Sequence, residues 1–355
     1  MQSNTDIERL LTHYNYDFSQ ATVVSLGNGH INSTFKLCAS ERDFVLQKLN
    51  HEIFTKPLQL CHNAQQINQH LLEQKNKAKY PLIVPQHILS KDGRSVVKIA
   101  ENYWRLMDFV EESYTLEKVS SSMQAAQVAK AFAQFSGALS DFPADKLAVI
   151  IADFHDISFR MRQLCDAQAS DNENRLNDCQ ELVDFCLSQQ YFIDQVVEVS
   201  SKLPLHVTHN DTKINNLLFS KTDNKPCAVI DLDTCMPGLL MHDFGDMVRT
   251  CCSNLAEDDA GTEGMLFNIN IFEALVTNYV RAFGNKINLL ERQSLIVGAK
   301  LLPFIMGTRF LTDHLNGDKY YQVNRANQNL DRARNQLQLY KLVVEHESEL
   351  VSFIQ

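Results

Sequence analysis

The hydrophobic period of this chain changes once, near Val110, and that change restricts the architectures open to it. Before it, short alternating runs predict strands at Ala21 to Ser25, Ser33 to Cys38 and Asp43 to Leu49, the first two flanking the turn LGNGHIN. Leu60, Ala64, Ile67 and Leu71 fall on one face of a helix spanning Leu58 to Gln74. Three more strand-like runs follow, around Ile83 to Leu89, Ser95 to Ile99 and Tyr103 to Phe109, with a turn at Lys91 to Arg94 between the first two. After Val110 the spacing is helical over Ser122 to Ser140, Leu176 to Ser200, Phe267 to Phe283, Glu291 to His314 and Asn327 to Phe353. One β-like segment, Leu205 to Ile230, interrupts these helices. The expected class is α+β: a small β-rich N-lobe over residues 1–107 and a large, mainly helical C-lobe over 108–355.

A chain of 355 residues is long enough for two such lobes. Its net charge of −10, with no basic run, predicts no nucleic-acid partner. The first twenty residues lack the basic and apolar regions of a secretory signal. Lys300, Pro303 and Arg309 interrupt the most apolar stretch, Leu295 to Leu311, which fits a buried helix and no membrane partner. Nine cysteines without C-x-x-C spacing predict free thiols in a cytoplasmic protein.

The chemistry-bearing segments are HNDTKINNLLF, from His209, and CAVIDLDTCMPG, from Cys227. Phosphoryl transfer needs a carboxylate to orient the acceptor hydroxyl and take its proton, and oxygen ligands for magnesium. In H-x-D-x-x-x-x-N, Asp211 is the expected base and Asn216 a neutral metal ligand. Val229 and Ile230 read as a buried strand delivering Asp231 to Mg2+, with Asp233 pointing the same way if the strand continues. His209 reads as an organiser of the loop. Any one of these residues would more often be a turn residue; the combination points to catalysis. Asp243-Phe244-Gly245 repeats a metal-binding tripeptide of protein kinases, but Asp231 already fills that role, so it reads as the cap of a helix starting near Met247.

These features together match the order of a protein-kinase-like two-lobe fold. Gly27, Asn28 and Gly29 would lay backbone amides over the phosphates of ATP, the expected co-substrate. Gln47 falls where protein kinases carry a lysine, and Lys48 one residue on should face the other way; phosphate contact through Gln47, Lys48 or another base stays open. Met107, Asp108 and Val110, on the strand joining the lobes, are the adenine-side candidates.

HNDTKINNLLF, VIDLDTCMPG, DFGDMVR, GNGHINSTF, FVLQKLN, YWRLMDFVE and NLDRARNQL resemble the aminoglycoside-phosphotransferase/choline-kinase superfamily, most of all its N-acetylhexosamine 1-kinase-like branch. The resemblance runs from Leu26 to Leu339. It implies an ATP- and Mg2+-dependent kinase of a small-molecule hydroxyl, most of all the anomeric hydroxyl of an amino sugar, with His30, Lys213, Arg309 and Tyr320 beside Asp211 at the acceptor. Arg309 could instead pair with Asp313 four residues on. His155 reads as structural and Glu257-Asp258-Asp259 as an exposed loop, so no carboxylate cluster marks a cationic acceptor. Choline, homoserine, methylthioribose or an aminoglycoside are the alternative acceptors. A catalytically silent nucleotide-binding protein is the alternative of another class.

Overall fold

The computed structural model describes residues 4–26 and 31–354. It opens with α1 (Asn4–Leu11), then β1 (Thr22–Ser25), β2 (Ser33–Cys38), β3 (Asp43–Leu49), α2 (Pro57–Asn76), β4 (His87–Ile88), β5 (Val97–Ile99) and β6 (Asn102–Asp108). These strands form one antiparallel sheet in the order β1-β2-β3-β6-β4, with β5 added along β6. The run expected from Ile83 to Leu89 contributes only two residues, because Pro85 has no amide to give a ladder.

Alternation along β3 and β6 sorts their side chains onto two faces. Phe44, Leu46, Trp104 and Leu106 pack with Ile7, Leu10 and Tyr14 of the α1 region. Leu49 packs on the other side with Leu60 and Cys61 of α2. Gln47 is paired with Arg105 and Lys48 with Trp104. Lys48 therefore faces the α1 side, and Gln47 and Arg105 face the other.

The rest of the chain is mainly helical: β7 (Ser113–Tyr114), α3 (Ser122–Ala138), α4 (Ile157–Ser170), α5 (Gln180–Leu187), α6 (Gln190–Ser200), β8 (His206–Thr208), β9 (Leu217–Ser220), β10 (Pro226–Val229), β11 (Met236–Gly238), α7 (Leu240–Cys251), α8 (Ile269–Phe283), α9 (Leu289–Leu315) and α10 (Gln328–Ser352). The architecture is the expected mixed α+β, kinase-like one. The helix expected over Leu176 to Ser200 is broken after Leu187 into α5 and α6, and α4, capped by Asp156 at the amide of Phe159, precedes it. A capping box of Asn288 and Glu291 starts α9. That helix is long and apolar enough to cross a membrane, but 94% of its apolar window is buried inside the protein.

Two glycines set the spacing of α7 and α9. A Cβ on Gly245 would stand 2.1 Å from the Gly298 carbonyl oxygen, and one on Gly298 2.0 Å from that of Met241. The helix carrying Asp243, Asp246 and Arg249 thus lies backbone to backbone on the helix carrying Arg309.

Candidate active site

Between β8 and β9 the chain crosses from a two-stranded ribbon with β11 to a three-stranded sheet with β10 and β7. The intervening loop, His209 to Asn216, is fixed mostly through its backbone. Asp243 accepts the amides of His209 at 3.0 Å and Asn210 at 2.7 Å, one on each carboxylate oxygen. The His209 imidazole, edge-on to Phe132 and Phe135, donates through Nε2 to the Ile230 carbonyl at 2.9 Å. It ties the loop carrying Asp211 to the strand leading to Asp231, the organising role read from the sequence. Asn210, at φ +62°, donates from its side chain to the Thr234 carbonyl at 3.0 Å. The Asp243 reading needs correction: α7 begins at Leu240, not near Met247, and fully buried Asp243 holds two loop amides rather than capping the helix.

This scaffold presents Asp211 half-buried at a cleft. Asn216 donates from Nδ2 to both its carbonyl, at 2.8 Å, and its carboxylate, at 2.9 Å. Lys213 Nζ lies 4.0 Å from the other carboxylate oxygen. Burial works to raise this carboxyl, but Lys213, His209 and Arg249, with the Asn216 hydrogen bond, hold it below the usual range. The base candidate stays ionised.

Asp231 follows β10 in a left-handed conformation, at φ 60° and ψ 62°. A 3-10 turn over Leu232–Thr234 comes next, so strand alternation does not carry on to Asp233. That corrects the expectation for Asp233: it turns inward, buried, and its two oxygens take Arg105 Nη1 at 2.6 Å and Asn32 Nδ2 at 2.7 Å. Asp231 is exposed, with no hydrogen-bond or ion-pair partner among the described residues. The protein mass around it and the carboxylates of Asp233 and Asp211 push it up to about 7. A hard divalent cation would relieve that crowding. The oxygens of Asp231 and Asn216 suit Mg2+, which keeps waters and substrate phosphates in its shell; no preformed cage of three or more such side chains occurs among the described residues.

Towards the nucleotide side, Gly27, Asn28, Gly29 and His30 lie outside the described residues. Neither phosphate candidate on β3 is free to play the expected part. Lys48 is on the face turned to α1. Gln47 Oε1 accepts from Arg105 Nε at 2.9 Å and Nη2 at 2.6 Å, and its amide donates to Thr34 Oγ1 at 2.9 Å. The cation on this face is Arg105, 2% exposed, which sequence reasoning missed although a charge in the strand NYWRLMD was its visible sign. At Asp108 the amide already donates to the Gln86 carbonyl at 2.9 Å and the carboxylate takes the Gln86 amide and Arg42, so neither of these two groups is open to an adenine edge. Met107 stays on the Arg105 face. Val110 is buried, its carbonyl accepting the Ser113 hydroxyl.

Beside Asp211 a pocket is lined by Phe154, His155, Lys213, Asp246, Arg249, Glu257, Arg309, Tyr320, Tyr321 and Arg332. It brings together the expected Lys213, Arg309 and Tyr320. The Arg309 guanidinium lies 5.0 Å from the Phe154 ring centre, 5.5 Å from that of Tyr320 and 5.4 Å from that of Tyr321. Asp313 is not its partner; that carboxylate accepts the amides of Lys319, Tyr320 and Tyr321 and the side chain of Asn329. Glu257 is no solvent loop residue: it pairs with buried Arg249, which also holds Asp246 at 2.8 Å, while Asp258 pairs with Arg332. His155 meets the pocket and contacts the Asn210 carbonyl at 3.2 Å. Arg332, from NLDRARNQL, was the readable sign that α10 reaches this wall.

Residues 22–279 match the family described as "Phosphotransferase enzyme family". The fold is similar to a microcompartment-associated aminopropanol kinase, at 17% identity over 98% of both chains with a TM-score of 0.63. It is also similar to an aminoglycoside phosphotransferase from Alicyclobacillus acidocaldarius, at 12% identity over 96% of this chain and 95% of that one, with a TM-score of 0.62. A choline kinase from Cryptosporidium parvum shares 14% identity over 98% of this chain and 97% of its own, with a TM-score of 0.58.

Proposed function

Because the chain belongs to the phosphotransferase enzyme family and is a small-molecule kinase of that type, we propose that it transfers the γ-phosphoryl group of ATP to the anomeric hydroxyl of an N-acetylhexosamine, with Mg2+. The observation that supports the reading most is Asp211, ionised, at the edge of the pocket, on a loop whose backbone is held by Asp243. Asp211 would align the acceptor hydroxyl and take its proton. Lys213 would offset charge gathering on the transferred group. Asn216 and Asp231 would hold Mg2+, which would offset the negative charge of the nucleotide phosphates. Asp233 would act on the site through Arg105. In this reading residues 1–107 carry the nucleotide, with Gly27, Asn28 and Gly29 over its phosphates and Met107 and Val110 on the adenine side, and residues 108–355 carry base, metal and acceptor.

The amino sugar is favoured by the cluster of Tyr320, Tyr321 and Phe154 around Arg309. Aromatic faces suit the C–H face of a pyranose, and a guanidinium fork suits its oxygens. His30 would reach the same acceptor. A second reading, a cationic alcohol, draws on the carboxylates of Asp246 and Glu257 in the pocket and on the fold shared with aminopropanol and choline kinases.

ADP release from the purified chain over N-acetylglucosamine, N-acetylgalactosamine, choline, aminopropanol and an aminoglycoside tests both. The expected result is stimulation by an amino sugar, with phosphorus NMR coupling of the product to the anomeric proton. Activity confined to choline or aminopropanol replaces the first reading with the second. Asp211→Asn should lower turnover by about two to four orders of magnitude while ATP binding survives; near-normal turnover removes the base assignment.

A further inference from the structure

Charges lining the acceptor pocket are matched within the protein, with one exception. Asp211 faces Lys213; Asp246 and Glu257 share Arg249; Arg332 pairs with Asp258. Arg309 has no carboxylate within ion-pairing distance among the described residues, and its one polar contact is the Met306 sulfur at 3.6 Å. Its guanidinium lies among three aromatic rings, which attract a cation but supply no counter-charge.

A second guanidinium sharpens the imbalance. Arg160 of α4, 8% exposed, donates to the Phe154 carbonyl at 2.9 Å and to Gln163 Oε1 at 2.8 Å, and it too lacks a carboxylate partner among the described residues. Burial, and then neighbouring Arg309, pushes it down to about 10. The two cations repel each other, Arg160 at the Phe154 carbonyl and Arg309 over its ring, and of the two Arg309 is the one that lines the pocket. Leaving a guanidinium without an anion in such surroundings is unfavourable, and an oxyanion brought by the ligand removes the penalty.

We propose that the acceptor carries an anionic group, a carboxylate or a phosphate, which binds Arg309, and that this pocket discriminates against cationic acceptors. The inference rests on the reading of this pocket as the acceptor site of a kinase. It narrows the amino-sugar assignment to an acidic or phosphorylated N-acetylhexosamine in place of the neutral sugar, and it opposes the cationic-alcohol reading. Phe154, Tyr320 and Tyr321 hold the guanidinium in place, so the anion meets a fork that is already oriented.

The test uses the full chain with two carbon skeletons, each as amine, neutral compound and acid. One series is glucosamine, N-acetylglucosamine, N-acetylglucosamine 6-phosphate and N-acetylmuramic acid; the other is 1-amino-2-propanol, 1,2-propanediol and lactate. Calorimetric binding in the presence of ADP is read beside ADP-release kinetics from ATP, so binding is seen without turnover. On whichever skeleton binds, an acid should bind at least about tenfold more tightly than the neutral compound, and the amine more weakly still. The phosphate and carboxylate arms decide which oxyanion the pocket takes. Arg309→Met should erase the advantage of the acid while leaving the KM for ATP unchanged, and Arg309→Lys should keep part of it. Equal or tighter binding of neutral or amine compounds, no binding of acid on either skeleton, or an acid advantage that survives in Arg309→Met overturns the proposal. Preference for acids on the propanol skeleton alone supports the charge assignment and removes the sugar.

Discussion

Arg105 and Arg309 show two ways of keeping a guanidinium in a folded chain. Arg105 is 2% exposed and engages Gln47 twice and Asp233 once, so its hydrogen-bonding fork is largely satisfied by the protein. Arg309 is half-exposed, bordered by aromatic rings and a sulfur atom. The first joins the N-lobe sheet to the turn after Asp231. The second leaves its charge for whatever enters the pocket. A matched cation holds geometry and an unmatched one receives ligands, so the two arginines should answer differently to removal.

The largest contrast is in stability. Arg105→Met leaves Asp233 buried without its ion-pair partner, and breaking a buried pair in this way costs about 3–5 kcal/mol. Chemical denaturation should show it as a lower midpoint with an unchanged slope. A shift below about 1 kcal/mol would mean that Asn32 alone holds Asp233 and that Arg105 is no structural pin. Asp243→Ala should give an effect of the same kind and of similar size. It strips the amides of His209 and Asn210 of their acceptor, at about 1–3 kcal/mol for each buried group left unsatisfied. Asp231→Ala should instead keep the melting temperature and lose Mg2+-dependent nucleotide binding; loss of metal dependence in folded Asp243→Ala would reverse the two roles. The smallest stability change is expected for Arg309→Met, within about 0.5 kcal/mol, because no ion pair is broken. A destabilisation comparable to that of Arg105→Met would erase the distinction.

What could be read from the sequence was local. β2 and β3 fall where their alternation put them, and α3 starts where Ser121 caps it by accepting the Gln124 amide. Asp211 and Asn216 sit within one loop, five positions apart, and meet at 2.9 Å. α4 escaped because its buried positions, Ile157, Arg160, Met161, Leu164 and Ala167, include an arginine where an apolar residue would have completed the stripe. The contacts that shape the site escaped for another reason: they join residues far apart in the chain. Arg105 meets Asp233 128 positions later, and Asp243 meets the amide of His209 34 positions earlier. No periodicity carries such pairings. The strand motif of Asp231 and Asp233 misled because a left-handed residue at Asp231 ends the alternation on which the expectation depended.

The contact at Gly245 and Gly298 bears on how this enzyme can acquire new substrates. Oxygen atoms of each helix occupy the place where the other's methyl group would go, so neither position takes a side chain without moving α7 and α9 apart. The approach of the helices that carry Arg249 and Arg309 is therefore closed to gradual adjustment by side-chain replacement at these two positions. Variation has more freedom in the segments between helices that reach the same pocket, the one bearing Glu257 and the one bearing Tyr320 and Tyr321. Laboratory selection for a different acceptor should therefore accumulate changes over 253–267 and 316–327, with Gly245 and Gly298 retained in every active descendant.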